Sequence, residues 1–169
     1  MNTFKLLALF IALNTWHYTF GQIQIPWPTT PSKSETTVGL TIISLDYSRP
    51  SKNGRKIFGH LVPYDTVWRT AANKNSTIRF SDDLPDKKKV LTKGTYSIYT
   101  KPGKETWEIY FYKDIDNLGL PATWDTSKIA ASVKVKSKTV SVTETFTINI
   151  DNIQYESCML EIKWDNISV

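Results

Sequence analysis

The sequence predicts an all-β fold, a two-sheet antiparallel β-sandwich, with a jelly-roll arrangement as one variant. Three observations lead to this prediction. From Thr37 onward, apolar and polar residues alternate with a period of two, which is the period of a half-buried strand. Turn signals separate the alternating runs. No amphipathic stretch has the length of an ordinary helix.

Six runs alternate well enough to be interpreted as strands. They are GLTIISLDY (39–47), STIRF (76–80), TYSIYT (95–100), TWEIYFY (106–112), SVKVKS (132–137) and ETFTINI (144–150). The first of these runs is mixed in phase. In TWEIYFY, Trp107, Ile109 and Phe111 share one face, which is expected to point into the core, while Tyr110 and Tyr112 lie on the other.

The same alternation identifies inward positions in the other runs. They are Tyr96, Ile98, Val133, Val135, Phe146, Ile148 and Ile150. Cys158 is in phase with Ile162 and Trp164, which predicts a small buried hydrophobe. Because Cys158 is the only cysteine, no intrachain disulfide can form and the core alone must hold the domain.

Turn residues connect the predicted strands. Lys93-Gly94 precedes one strand, and Lys101-Pro102-Gly103 joins two strands as a hairpin. Residues 113–128 form a long connection, for which we expect one short helical turn around Thr123–Ile129.

The N-terminal region divides into two segments. Residues 1–21 have one basic residue, Lys5, before the apolar run Leu6–Leu13, which is typical of a secretory signal and too short for a membrane span. Residues 22–36 are rich in Pro, Ser and Thr and are interpreted as a linker, which leaves 37–169 as the folded domain. The predicted location is outside the cytoplasm, either periplasmic, at the cell surface or secreted.

The charge distribution does not favour a nucleic-acid partner. The formal net charge is +5, and the lysines are scattered. The densest cluster, Lys87–Lys89, follows three aspartates, which is typical of a solvated loop. The oligomeric state is left open.

Few residues are available for catalysis or metal binding. After the signal pattern His60 is the only histidine, so neither a His-rich metal site nor a cofactor is expected. His60 could act as a general base, although no acid or nucleophile motif accompanies it. Asn75-Ser76-Thr77 is a glycosylation sequon, which matters only in a host that glycosylates exported proteins.

One segment, residues 47–73, concentrates side chains suited to binding. Its candidate ligand-binding residues are Tyr47, Arg49, Arg55, Tyr64, Trp68, Arg69 and Asn73. Arginine offers a planar fork of donors for carboxylate, phosphate or sugar hydroxyls, and aromatic rings suit sugar faces or partner side chains. The alternative is that these residues only stabilise an irregular segment. The chain is expected to turn between Trp68 and Asn73, with Trp68 packed inward.

The same segment resembles the DUF2911 family of exported proteins of unknown function. The motifs Y-S-R-P (47–50), G-R-x-I-F-G (54–59) and L-V-P-Y-x-x-V-W-R-x-x-A-N (61–73) match the family pattern, and the likeness extends over residues 40–169. Asp65 and Ala71 stand where the family usually has glycine, and Lys74 where it often has an acid. The resemblance implies a fold and an exported location, and no activity.

These observations favour a binding or interaction module without a catalytic centre. Its partner would be a small polar ligand, such as a carbohydrate or carboxylate, or another protein. The main alternative is a hydrolase in which Arg49, Arg69 and His60 orient a substrate. A third possibility is a purely structural domain.

Overall fold

A computed structural model describes residues 29–85 and 90–169, which are almost entirely β. Six antiparallel strands form one sheet: β1 (Thr30–Val38), β2 (Thr41–Arg49), β3 (Thr77–Phe80), β4 (Gly94–Pro102), β5 (Thr106–Tyr112) and β6 (Ile129–Lys136). A second sheet pairs β7 (Lys138–Asp151) with β8 (Met159–Ser168). The predicted all-β sandwich is confirmed.

The topology of the larger sheet is sequential. Its spatial order is β1-β2-β3-β4-β5-β6, so each strand pairs with its neighbour in the chain. Between β6 and β7 stands the single residue Ser137, after which the chain enters the second sheet. The two sheets meet where the Tyr47 hydroxyl of β2 donates to the Ile148 carbonyl of β7, at 3.1 Å.

The core lies between the sheets and follows the predicted alternation. Trp107 and Ile109 of β5 are buried there together with Phe146 and Ile148 of β7. Aromatic rings pack edge to face across it, as Phe58 does with Trp107 at 4.9 Å between centroids. Burial of large apolar side chains on this scale stabilises a domain that has no disulfide.

The opposite face of the larger sheet carries a second cluster, which we call the tyrosine cluster: Tyr99, Tyr110 and Tyr112, with Trp124 of the long connection. Trp124 stacks on Tyr112 at 4.8 Å between centroids and 22° between planes. The pKa of Tyr110 is raised to about 12, first by burial and then by Glu108, through a hydrogen bond and through the negative charge of Glu108. At the tyrosine cluster, this face is therefore covered by the long connection through Trp124 rather than by solvent.

The connections agree with their predictions. In the β4–β5 hairpin the Gly103 amide donates to the Thr106 carbonyl at 3.0 Å. The long connection contains one 3-10 helix, Thr126–Lys128, and the Asp125 side chain caps it by accepting from the Ser127 amide at 2.9 Å.

The linker prediction is wrong for residues 30–36. They belong to β1, which pairs with β2 over nine residues. Thr30 lies opposite Arg49 at one end of the pairing, and Val38 lies opposite Thr41 at the other. β1 is an edge strand, where polar side chains on both faces and a proline such as Pro31 are tolerated. The Pro-, Ser- and Thr-rich composition of this segment is therefore compatible with an edge strand as well as with a linker. Residues 22–28 of the predicted linker, the predicted signal (1–21) and Lys87–Lys89 lie outside the described residues.

Two inward predictions hold only in part. Val133 is 45% exposed, because β6 forms the other edge of the sheet. Cys158 packs against the core but is only half-buried, immediately before β8 begins. Burial raises the pKa of its thiol. Across residues 29–85 and 90–169, no helix has both the length and the apolar character needed to cross a membrane.

Candidate functional site

Three of the chain's four arginines line one cavity of about 770 Å³. We call it the arginine cavity; its characteristic residues are Arg49, Arg55, Trp68, Arg69, Trp164 and Leu118–Leu120. Its volume lies within the range of about 300–1,000 Å³ that is usual for small-molecule sites. The predicted segment 47–73 thus supplies most of its wall.

Arg49 and Arg55 are fixed by neutral acceptors. Arg49 ends β2 and reaches across to the second sheet, where its Nε donates to the Phe146 carbonyl at 3.3 Å and its Nη2 to Thr147 Oγ1 at 3.1 Å. The Arg55 guanidinium folds back on its own turn and donates to the Lys52 carbonyl at 2.9 Å. Both residues therefore support the fold as well as the cavity.

Arg69 is held differently. Its guanidinium makes no hydrogen bond and no ion pair with any other residue in the described part of the chain. It packs instead on Gly119 of the long connection, where a β-carbon would come within 3.3 Å of its Nη1. Its donors are therefore free of protein acceptors among the described residues, and Arg69 lines the cavity.

The cavity is electrostatically one-sided. Within residues 29–85 and 90–169, no aspartate or glutamate lines the cavity and no arginine takes part in a salt bridge. Three arginines thus line one space, and no carboxylate of the described residues balances their charge there. Such an arrangement attracts anions.

Trp68 joins this cavity to the core. Its amide donates to the Thr100 carbonyl of β4 at 2.7 Å, and its carbonyl accepts from the Thr100 amide at 3.0 Å. Its ring lies nearly parallel to that of Trp164, 6.0 Å away between centroids, and meets Phe146 edge to face. Trp68 packs inward as predicted, but it remains half-buried because it also lines the cavity.

The backbone after Trp68 adopts conformations that side chains rarely tolerate. Thr70 has φ 53° and Ala71 has φ 127°, and Asn73 follows at 58°. A β-branched residue at positive φ is a true outlier, and φ near 127° is almost confined to glycine. The predicted turn is therefore present and strained. Asp65 is also at positive φ, 58°, so both positions where the related proteins usually carry glycine require that conformation here.

The long connection forms the facing wall and is anchored at Gly119. The Gly119 amide donates to Asn75 Oδ1 at 3.1 Å, and its carbonyl accepts from the Tyr99 hydroxyl at 2.9 Å. Asn75 Nδ2 in turn donates to that hydroxyl at 2.8 Å. Because Asn75 is buried in this network, its sequon serves the fold. Burial raises the pKa of Tyr99.

The remaining candidate residues lie elsewhere. Tyr47 and Asn73 line a second cavity of about 520 Å³, whose lining includes both acidic and basic side chains. Tyr64 packs against the core and lines neither cavity. His60 is exposed in a turn and is not among the lining residues of the cavity that Arg49 and Arg69 share.

Sequence reasoning missed the leucines and Trp164 of the arginine cavity. Leu118 and Leu120 belong to the connection, where no periodic pattern reveals their neighbours, and Trp164 reaches the cavity from the second sheet. Leu118 and Leu120 stand out only through their exposure, which is known from the structure alone. No group of three or more His, Cys, Asp or Glu that could hold a metal ion occurs within residues 29–85 and 90–169.

Comparison with known proteins gives a family and no activity. No curated protein and no solved structure matches the chain. Residues 29–169 match the model described as Protein of unknown function (DUF2911), and the match includes all eight strands from β1 to β8. The match agrees with the resemblance carried by residues 47–73, and the chain belongs to the DUF2911 family.

Proposed function

We propose that this protein is a non-catalytic binding module that holds a small anionic ligand in the arginine cavity. The observation that carries the proposal is the convergence of Arg49, Arg55 and Arg69 on one cavity that no acidic side chain of the described residues lines. Arg69, whose guanidinium has no acceptor among the described residues, is the primary anion contact. Arg49 and Arg55 supply additional positive charge from fixed positions.

The contacts of Arg69 favour a ligand-binding role over a role in stabilising the fold. A buried structural arginine would make an ion pair, and its loss would cost about 3–5 kcal/mol. Arg69 makes none with the described residues, so its replacement by alanine is expected to lower the free energy of unfolding by about 1 kcal/mol or less. An exported location, as predicted from residues 1–21, belongs to the same proposal.

The test compares melting temperatures of wild type, Arg69→Ala and Arg79→Ala with inorganic phosphate, acetate, glucuronate and neutral glucose. Arg79 is the matched control, because it is exposed on β3 and does not line the arginine cavity. At least one anion should stabilise wild type and Arg79→Ala but not Arg69→Ala. General salt effects act on all three proteins alike.

Two results would overturn the proposal. One is stabilisation by anions that is equal in wild type and Arg69→Ala, which would show that Arg69 is not the anion contact. The other is the absence of any anion-dependent stabilisation together with a large loss of stability in ligand-free Arg69→Ala. That pair of results would identify Arg69 as a structural residue.

A further inference from the structure

The arginine cavity has an apolar part that an inorganic anion would not use. Leu61, Leu118 and Leu120 all line it, and they are 47%, 78% and 51% exposed. Large apolar side chains left in water beside a charged cavity are a feature of ligand sites, since a bound apolar group would cover them. Scattered exposed leucines need no such explanation, but these three share one cavity.

The leucines are not held there by packing of their own. The segment is fixed through the backbone of Gly119, by Asn75 and Tyr99, while the flanking Leu118 and Leu120 side chains stay outside the core. Arg69 packs on the same Gly119. The anchored segment therefore brings the exposed Leu118 and Leu120 next to Arg69, which has no acceptor among the described residues.

We propose that the ligand is an amphipathic monocarboxylate, with its carboxylate on Arg69 and its apolar body against Leu61, Leu118 and Leu120. This inference rests on the proposed anion-binding function and specifies its ligand class. A guanidinium that has no acceptor among the described residues offers one bidentate face, which matches a single carboxylate. The half-buried ring of Trp68 adds apolar surface to the same cavity.

The experiment measures dissociation constants by calorimetry for straight-chain monocarboxylates from acetate to octanoate, with the corresponding alcohols as uncharged controls. Each added methylene that becomes buried should tighten binding about fourfold, until the chain extends beyond the leucines. The alcohols should bind at least tenfold more weakly than the acids of equal length. Arg69→Ala should weaken all of the acids by a similar factor.

Two leucine variants locate the apolar contact. In the double variant Leu118→Ser with Leu120→Ser, the affinity for acetate should stay unchanged while the gain per methylene falls toward onefold. Leu40→Ser is the matched control, because Leu40 is 95% exposed at the β1–β2 turn and does not line the cavity. It should keep the wild-type dependence on chain length.

The outcomes separate this inference from the function on which it rests. If the acids bind through Arg69 with no dependence on chain length, the amphipathic ligand is wrong and anion binding stands. Retention of the full chain-length dependence in the double leucine variant would also overturn the inference. If neither acids nor phosphate bind, both proposals fail. If alcohols bind as tightly as acids and Arg69→Ala has no effect, the cavity is an apolar site and anion binding is refuted.

Discussion

Strand β5 presents two different environments to its two faces. Trp107 and Ile109 point into the core between the sheets, whereas Tyr110 and Tyr112 point into the tyrosine cluster beneath the long connection. The inner face buries mostly apolar side chains, and on the outer face phenol groups meet polar partners as well as rings. The difference teaches that the inner face holds the two sheets together, while the outer face positions a loop.

That loop matters because it forms one wall of the arginine cavity. Tyr99, a member of the outer cluster, binds the Gly119 carbonyl, and Gly119 in turn supports Arg69. The segment before β3 contacts both environments, since Val67 packs on the tyrosine cluster and Trp68 packs on the core. The cavity is therefore built where the two packing layers meet at the end of the sheet.

The inner face should give the largest effect. Trp107→Ala removes a side chain that is 2% exposed and contacts Phe58. The free energy of unfolding should fall by about 3–5 kcal/mol, because the variant no longer buries the indole ring and a cavity remains in its place. Urea denaturation measures this. Val142→Ala is the control, since Val142 is 64% exposed. A loss below about 1 kcal/mol for Trp107→Ala would contradict the assignment of the main core to this face.

The outer face should give a smaller and more local effect. Tyr99→Phe removes the hydroxyl that donates to the Gly119 carbonyl and accepts from Asn75 Nδ2. Because the Gly119 carbonyl and Asn75 Nδ2 lose this partner, the free energy of unfolding should fall by about 1–3 kcal/mol. Hydrogen exchange should also speed up at the amides of residues 118–120, because the loop loses its anchor.

The matched control for that change is Tyr155→Phe, which removes a hydroxyl from a side chain that is 86% exposed. It should alter neither stability nor exchange. If Tyr99→Phe destabilises the protein but leaves the exchange of residues 118–120 as it was, then the outer cluster supports the sheet alone, and the distinction between the two faces is lost.

The sequence predicts the inner face far better than the outer one. Period-two alternation is a local signal, so the inward positions of TWEIYFY and ETFTINI could be read directly, and the burial of Trp107 and Phe146 agrees with it. The covering of Tyr110 and Tyr112 depends on residues 113–128, which carry no period. Their contacts are set by tertiary packing and cannot be derived from spacing along the chain.

The candidate site follows the same rule. Its arginines and Trp68 could be named, because their residue types suit ligands wherever they lie. Which of them share a space depends on the turn after Trp68 and on the position of Gly119. Tyr47, Tyr64 and Asn73 therefore belong to the right segment but lie outside the arginine cavity.

The strained turn between the two layers predicts a gain in stability. At φ 127° glycine is favoured over alanine, so Ala71→Gly should relieve strain of about 1–3 kcal/mol. The greater freedom of glycine in the unfolded chain and the lost methyl contact oppose this, and a net gain of about 1 kcal/mol is expected. Ala72→Gly is the control: Ala72 has no positive φ and should lose about 0.5–1 kcal/mol. Urea denaturation measures both variants. If Ala71→Gly and Ala72→Gly lose the same free energy of unfolding, the backbone at Ala71 is not strained.

The smallest expected effect is a pH dependence that belongs to the outer face. Burial and the neighbouring Glu108 raise the pKa of Tyr110 from 10.0 to about 12. In alkaline solution the unfolded chain then releases this proton before the folded protein does. The stability contributed by neutral Tyr110 is fully present below pH 10.0 and is lost as the pH rises toward about 12. Because other tyrosines titrate nearby, the measured quantity is the difference in urea midpoint between wild type and Tyr110→Phe. Wild type should lose stability faster than the variant across this window, and parallel curves would contradict the buried, neutral phenol that the tyrosine cluster requires.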